Sequence, residues 1–427
     1  MTIGHSTPSA GVQVPDGIFI PGGLPYRHDL GQTILGMLNR IKTTPDDFAN
    51  ANGFNLLTFS DILAGHEDPS DALLIAIEQT SPLNVRELID PRYAHRVPIH
   101  DDSVDGVVIC TGEESAARTR VYRRGKGKGV KFYTYYHTAV QRSSSIIPEK
   151  IVEHYEWDPT DPNLPDEYFN NGHRERQMTV AIGSVNYHWI DAERKKHVIA
   201  AHTGDANAIS PFTRHSFTVP PGEKGYILAV TDLGAIGTPD FRALAHALDK
   251  DEYLALMRKM LPADAPESSF DELGGFMFRR YDDAHHVSHG DGNSQRMLMD
   301  DITAHPSFVA YELGLSPAPY GGDPFSQIVN ASIWGYVPDT NVVKLEWESH
   351  TEILGSGDSF SIQPNVPHSI NSIAATGTQV FIMQSNPAEE STLEQLALVH
   401  KFRGDEGLLR AMSEDQVWFK EAKKDER

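Results

Sequence analysis

A single cysteine, Cys110, stands among 427 residues, which excludes an internal disulfide framework and a Cys-rich metal cluster and suits a reducing compartment. Positive charge is also scarce: 37 Lys and Arg face 59 Asp and Glu, for a net charge of -22. Such a chain repels phosphate backbones and anionic bilayers unless one face departs from the average, so neither nucleic acid nor membrane is an expected partner. No run of 18 apolar residues occurs, and the first residues show neither a basic nor an apolar targeting segment. A soluble, cytoplasmic protein is expected. A phosphate loop with Gly-Lys-Ser/Thr, a dinucleotide Gly-x-Gly-x-x-Gly after a strand and a Gly-x-Ser-x-Gly elbow are all missing.

The length is too great for one hydrophobic core. After a Gly/Pro-rich leader, Leu30, Ile34, Leu35, Leu38 and Ile41 recur at helical spacing. Thr44-Pro45-Asp46-Asp47 then opens a second helix, with Pro45 at its first position and acids in its first turn, and Asn52-Gly53 closes it. This segment predicts a helix-turn-helix-like bundle, yet residues 27 to 92 hold ten acids against five cations, the wrong sign for DNA. From about residue 97 short β-rich runs take over, a helical stretch returns at 240 to 262, short strands return at 300 to 388, and helices close the chain.

That order suggests an internal duplication, and two phrases support it. Asp205 lies ten residues before His215, and Asp358 lies ten before His368; Trp189 and Trp347 precede the respective pairs. The expected fold class is α+β, mainly β, with two tandem barrels, each preceded by a helical module. The expected divisions are 1–96, leader and bundle; 97–235, a first barrel; 236–299, a second helical module; 300–390, a degenerate barrel; and 391–427, terminal helices.

The richest chemistry lies between Tyr168 and Met178. His173 and Gln177 are four residues apart, too far along one extended strand to share an ion, so a turn must intervene, and Asn170-Asn171-Gly172 supplies turn chemistry. Histidine suits iron, copper or zinc, whereas an exposed turn histidine and a solvated glutamine are the plainer reading of the same residues. A second unusual stretch, from Arg118 to Lys131, holds seven cations and no acid. It reads either as a solvated loop or as an entrance that attracts a small anion, with Gly125, Gly127 and Gly129 letting it move. His285, His286, His289 and His305 sit in a polar stretch where no β framework is expected to organise them.

Phe132-Tyr133-Thr134-Tyr135, the Ser144 to Pro148 stretch, Asn170-Asn171-Gly172-His173, Gln177 and Arg214-His215-Ser216-Phe217 together resemble the phosphonate-processing mononuclear iron cupins. The resemblance implies a tandem bicupin, with Fe(II) held by His173, Gln177 and His215, O2 as co-substrate and no 2-oxoglutarate. It also implies that Asn170, Tyr135 and, from the bundle, Lys42 hold a small phosphonate substrate, with Lys42 and Tyr135 in the catalytic set. An arginine of the family falls here on Gly127, so Lys126, Lys128 or Arg124 would stand in for it. One branch of the family completes its iron site with a glutamate at the position of Gln177, and another takes a carboxylate six residues before the second histidine, here Ile209. The branch with glutamine cleaves 2-hydroxyethylphosphonate to methylphosphonate and an oxidised one-carbon product, which is the expected activity. The dioxygenase branch, giving hydroxymethylphosphonate and formate, is the alternative, and a non-catalytic bicupin binding a small anion is another. A homo-oligomer is expected. His368 lacks companions in the second barrel, which is therefore expected to be iron-free.

Overall fold

A computed structural model describes residues 103–125, 129–141, 146–232, 274–289, 292–299, 308–317, 325–338 and 340–385 apart from positions 171, 174 and 328. It also describes 44–67, 250–261, parts of 396–409 and scattered positions between 31 and 76. Gly31, Ile34, Leu35 and Leu38 are helical, and two helices follow, α1 (Pro45–Ala51) and α2 (Leu56–Leu63), of which α2 is capped by the Asn55 side chain. The break between them at Asn52-Gly53 is the one the turn residues predict, because Gly53 takes a left-handed conformation at φ +72°. Leu30 and Lys42, with most of the expected bundle and leader, lie outside the described residues.

The strands run β1 (Val107–Cys110), β2 (Thr119–Arg124), β3 (Val130–Tyr136), β4 (Ile146–Glu153), β5 (Arg176–Gly183), β6 (Val185–Ile190), β7 (Lys196–Ala201), β8 (Ala206–Ile209), β9 (Arg214–Thr218) and β10 (Gly225–Asp232). A short helix, α3 (Gly112–Ala117), follows β1 behind a Thr111/Glu114 capping box. After α4 (Lys250–Met260) come β11 (Phe276–Arg279), β12 (His285–Ser288), β13 (Ser294–Met299), β14 (Phe308–Leu315), β15 (Phe325–Gln327) and β16 (Ser332–Tyr336). The remaining strands are β17 (Val343–Trp347), β18 (His350–Leu354), β19 (Ser359–Ile362), β20 (His368–Ser372) and β21 (Thr378–Ser385).

Two sandwiches with the same plan result. One joins a sheet of order β11-β8-β5-β10-β4-β3-β2 to the small sheet β7-β6-β9, and the other joins β1-β19-β16-β21-β14-β13-β12 to β15-β20-β17-β18. Trp189 pairs with His215 across β6 and β9, and Trp347 pairs with His368 across β17 and β20. The duplicated phrases thus occupy matching strand pairs. Side chains alternate as β period demands. Tyr133, Tyr135, Ile151, Tyr187, Trp189 and Phe217 fill the first barrel, while Met178, Val180, Leu228 and Val230 face the opposite way, onto Trp334, Phe381 and Met383 of the second. The two large sheets therefore pack back to back. Lys150 bridges the same seam, its Nζ 2.9 Å from Tyr336 Oη and 4.5 Å from the Tyr226 ring centre.

The divisions differ from those read in the sequence. β1 pairs with β19 of the second barrel, and β11 pairs with β8 of the first, so each barrel lends its leading strand to the other. Phe276–Arg279, His285–Ser288 and Ser294–Met299, expected within a helical module, are strands, and His285 and His286 lie on β12, paired to β13. The His/Asp-rich composition hid the pattern because β12 is largely exposed and lacks apolar alternation. No helix among the described residues is long and apolar enough to cross a membrane.

Candidate metal centre in the first barrel

The site forms where the loop before β5 meets the start of β9. Gly172, at φ +73°, turns that loop so tightly that a Cβ there would stand 2.5 Å from the carbonyl carbon of Phe212. The Phe212 amide then donates to the His173 carbonyl at 2.7 Å. This tie between two loops places the His173 and His215 rings edge to face, with centroids 5.2 Å apart.

Both rings are oriented through Nδ1. That of His173 bonds the Glu175 carbonyl at 2.8 Å, and that of His215 bonds the Thr213 carbonyl at 2.8 Å. A carbonyl at Nδ1 makes that nitrogen the proton carrier and leaves Nε2 with the lone pair a metal needs. His215 Nε2 lies 2.7 Å from Asn170 Nδ2, and Asn170 Oδ1 accepts from the amides of Gly172 and His215. Gln177 is 1% exposed on β5, yet its buried Oε1 has no hydrogen-bond partner, an acceptor that folding leaves unsatisfied at a cost.

Two neutral imidazoles and an amide oxygen fit a borderline divalent ion such as Fe(II). Among the described residues no three of His, Cys, Asp and Glu gather as a metal site, and the unsatisfied Gln177 amide oxygen is the candidate for a third donor. Across the strands Gln177 faces Ile209 on β8 and Thr231 on β10. Positions 177 and 209 are therefore neighbours, and a side chain from either could reach the same ion.

The other expected site residues fall as follows. Asn170 is within the cluster. Tyr135, 4% exposed, faces the barrel interior opposite Ile151; burial first, then the Glu149 carboxylate, holds its hydroxyl pKa well above the ordinary value, so it remains a donor. Lys42, Lys126 and Lys128 lie outside the described residues. The cationic stretch is less open than its composition suggests: Arg120 pairs with Glu149 at 2.9 Å, and Arg124 is buried over the rings of Tyr122, Phe132 and Tyr133. Arg124 reaches the Tyr168 carbonyl.

Sequence reasoning passed over three contributors. Gly172 was visible as a turn residue, but its contact with Phe212 was not. The Arg176–Asp232 pair, 2.7 Å apart with side chains 1% and 0% exposed, clamps β5 to β10 beside Gln177. Glu153 is 4% exposed, and neither carboxylate oxygen has a hydrogen-bond partner; burial raises its pKa well above the ordinary carboxylate range.

In the second barrel, Ile362 and Gln384 flank Ile333 as Ile209 and Thr231 flank Gln177. The position matching Gln177 is thus an isoleucine, and the one matching His173, four residues earlier, is Val329. His368 keeps the orientation of His215, Nδ1 on the Val366 carbonyl at 2.9 Å, with Nε2 3.0 Å from the Gln327 amide.

No protein-family model matches the chain. It is 27% identical to methylphosphonate synthase of Nitrosopumilus maritimus over 91% of this chain and 95% of that one. Among solved structures it resembles the 2-hydroxyethylphosphonate dioxygenase of Streptomyces albus with 2-hydroxyethylphosphonate and Fe(II) bound, at 22% identity and a TM-score of 0.58 over 85% of this chain and 92% of that one. A variant 2-hydroxyethylphosphonate dioxygenase matches at 17% identity and a TM-score of 0.50 over 89% and 100% of the respective chains. The chain is thus similar along nine-tenths of its length to methylphosphonate synthase and shares its fold with 2-hydroxyethylphosphonate dioxygenase.

Proposed function

We propose that this enzyme uses Fe(II) and O2 to cleave the carbon–carbon bond of 2-hydroxyethylphosphonate, giving methylphosphonate and an oxidised one-carbon product. The observation that carries the reading is the third donor position. An amide, Gln177, stands on β5, and an alkyl side chain, Ile209, stands opposite it on β8, so neither strand offers the carboxylate that the family's other branches use. Full-length similarity to methylphosphonate synthase supports the same reading.

His173, Gln177 and His215 would hold the ion, which supplies Lewis-acid and redox chemistry toward O2 when bound. Two imidazoles and an amide add no charge, so the site keeps its full attraction for a dianionic phosphonate. Asn170 sits beside the donor nitrogen of His215, where an amide N–H can donate to a phosphonate oxygen. The Tyr135 hydroxyl, kept protonated by burial, donates from the barrel interior. Lys42, with Lys126 or Lys128 from the Gly-rich loop, would add charge-assisted bonds to the same group. Aromatic walls of Tyr133, Tyr187 and Phe217 exclude bulk water from this side of the barrel.

Anaerobic reconstitution with Fe(II), addition of 2-hydroxyethylphosphonate and O2, and phosphorus NMR of the products test the reading. Methylphosphonate supports it. Hydroxymethylphosphonate would assign the dioxygenase reaction instead, and no turnover with full iron loading would leave a binding protein.

A further inference from the structure

The segment carrying Asn170 and His173 belongs to no sheet, yet it must hold its place against β9 to about an ångström for two loops to share one ion. One set of contacts is direct: Asn170 N donates to the His215 carbonyl at 3.1 Å, and Arg214 Nε donates to the Asn170 carbonyl at 3.3 Å. A second converges on the Tyr168 carbonyl, two residues before Asn170, which accepts from Ser216 Oγ at 2.8 Å and from Arg124 Nη1. Ser216 Oγ in turn lies 3.1 Å from the Tyr133 hydroxyl, and that hydroxyl accepts from Phe217 N at 2.8 Å.

Only one direction satisfies every group. Phe217 N–H donates to Tyr133, Tyr133 O–H to Ser216, and Ser216 O–H to the Tyr168 carbonyl. The chain of bonds joins β3, β9 and the Asn170 segment, and Arg124 adds β2. Among the described residues no carboxylate pairs with the buried Arg124, and aromatic rings surround it at 5.1 to 5.3 Å. A desolvated guanidinium without a counter-charge is costly, so stability alone is a poor reason to place one here. Its acceptors are Tyr168 O, two residues before Asn170, and Ser216 Oγ at 3.5 Å, next to His215.

We propose that Arg124, with Ser216 and Tyr133, forms a positioning lock that sets the Asn170–His173 segment against the His215 strand and so tunes metal affinity. The inference rests on the reading of His173, Gln177 and His215 as the donor set. Gly125 follows Arg124 and closes against the Tyr168 ring, its notional Cβ 3.4 Å away, so the lock also fastens the base of the cationic loop to the metal site.

Titration of the metal-free protein with Co(II), followed by visible absorption, tests the lock without any turnover. Wild type should take one Co(II) per chain. Ser216→Ala and Arg124→Lys should each weaken binding about 10- to 100-fold, as loss of partners behind metal ligands does. The double variant should lose less than the product of the two, because both groups donate to one carbonyl. Lys150→Met, at the seam between barrels, serves as the structural control: it should lower the thermal midpoint and leave Co(II) affinity alone. A lock with a purely structural role would behave like that control. Wild-type affinity in Ser216→Ala, or in a folded Arg124→Lys, overturns the proposal; wild type that fails to bind Co(II) overturns the donor set itself.

Discussion

Replacing Gly172 with alanine is a steric experiment for which the chain supplies its own control. Gly172 and Gly222 share nearly the same backbone conformation, φ +73° and +79°, but nothing lies within 4 Å of a Cβ at Gly222. Placing a side chain in the left-handed region costs about 1–2 kcal/mol at either position. At Gly172 the new methyl would also stand 2.5 Å from Phe212 C and 2.6 Å from Phe212 O, where ordinary contact begins at 3.4 Å. The two loops must therefore part by roughly 0.9 Å, an overpacking strain that typically adds about 1–3 kcal/mol. Gly222→Ala should accordingly lose about 1–2 kcal/mol and Gly172→Ala about 2–5 kcal/mol in urea denaturation of the metal-free protein. The parted loops carry His173 and the residues just before His215, so only Gly172→Ala should also weaken Co(II) binding, by about 10- to 100-fold. Equal stability losses, or unchanged Co(II) affinity in Gly172→Ala, would refute the claim that this contact sets the spacing of the two histidines.

His215→Ala should abolish metal binding, whereas His368→Ala should keep one metal per chain and lose stability at most; metal analysis of both decides whether the second barrel is metal-free. Arg176→Met removes the guanidinium that stands 2.7 Å from the fully buried Asp232 carboxylate and should cost about 3–5 kcal/mol, while Arg176→Met with Asp232→Leu should recover much of that; denaturant midpoints that merely add would contradict a paired role. Glu153 keeps in the folded chain a proton that the unfolded chain releases above about pH 4.5, so it lowers stability as pH rises, by at most about 1.4 kcal/mol per unit. Glu153→Gln removes that penalty, and its thermal midpoint should gain on wild type between pH 5 and pH 8; a gap independent of pH would show that the carboxyl is not held neutral.

The barrel strands and the repeat were legible because alternation and the Trp–Asp–His phrases depend on local pattern. Val185–Ile190, for example, starts after Gly183-Ser184 and stops before Asp191. The strand exchange was not legible, since the pairing of Val107 with Ile362 joins segments no local signal connects. His173, Gln177 and His215 stood out through their resemblance to a family, and the structure brings the two histidines edge to face and places Gln177 on β5, the strand that follows the His173 loop. What orients them was hidden: Arg124 read as one of seven cations and as a stand-in for a family arginine, and only folding reveals the aromatic rings and the carbonyl that claim it.

The reciprocal exchange of β1 and β11 sets a schedule for synthesis. β1, Val-Val-Ile-Cys, leaves the ribosome early, yet its partner β19 lies about 250 residues later. At roughly 5–20 residues per second, this apolar strand waits on the order of 12–50 s for its neighbour. The first barrel likewise lacks its edge until β11 emerges. An unpaired apolar strand of this kind is a template for pairing with other chains, so the nascent protein is most exposed to misassembly while the second barrel is being made. Truncation after the first barrel would make that interval permanent: the half that carries His173 and His215 would keep an orphan strand it cannot use and lack the one it needs.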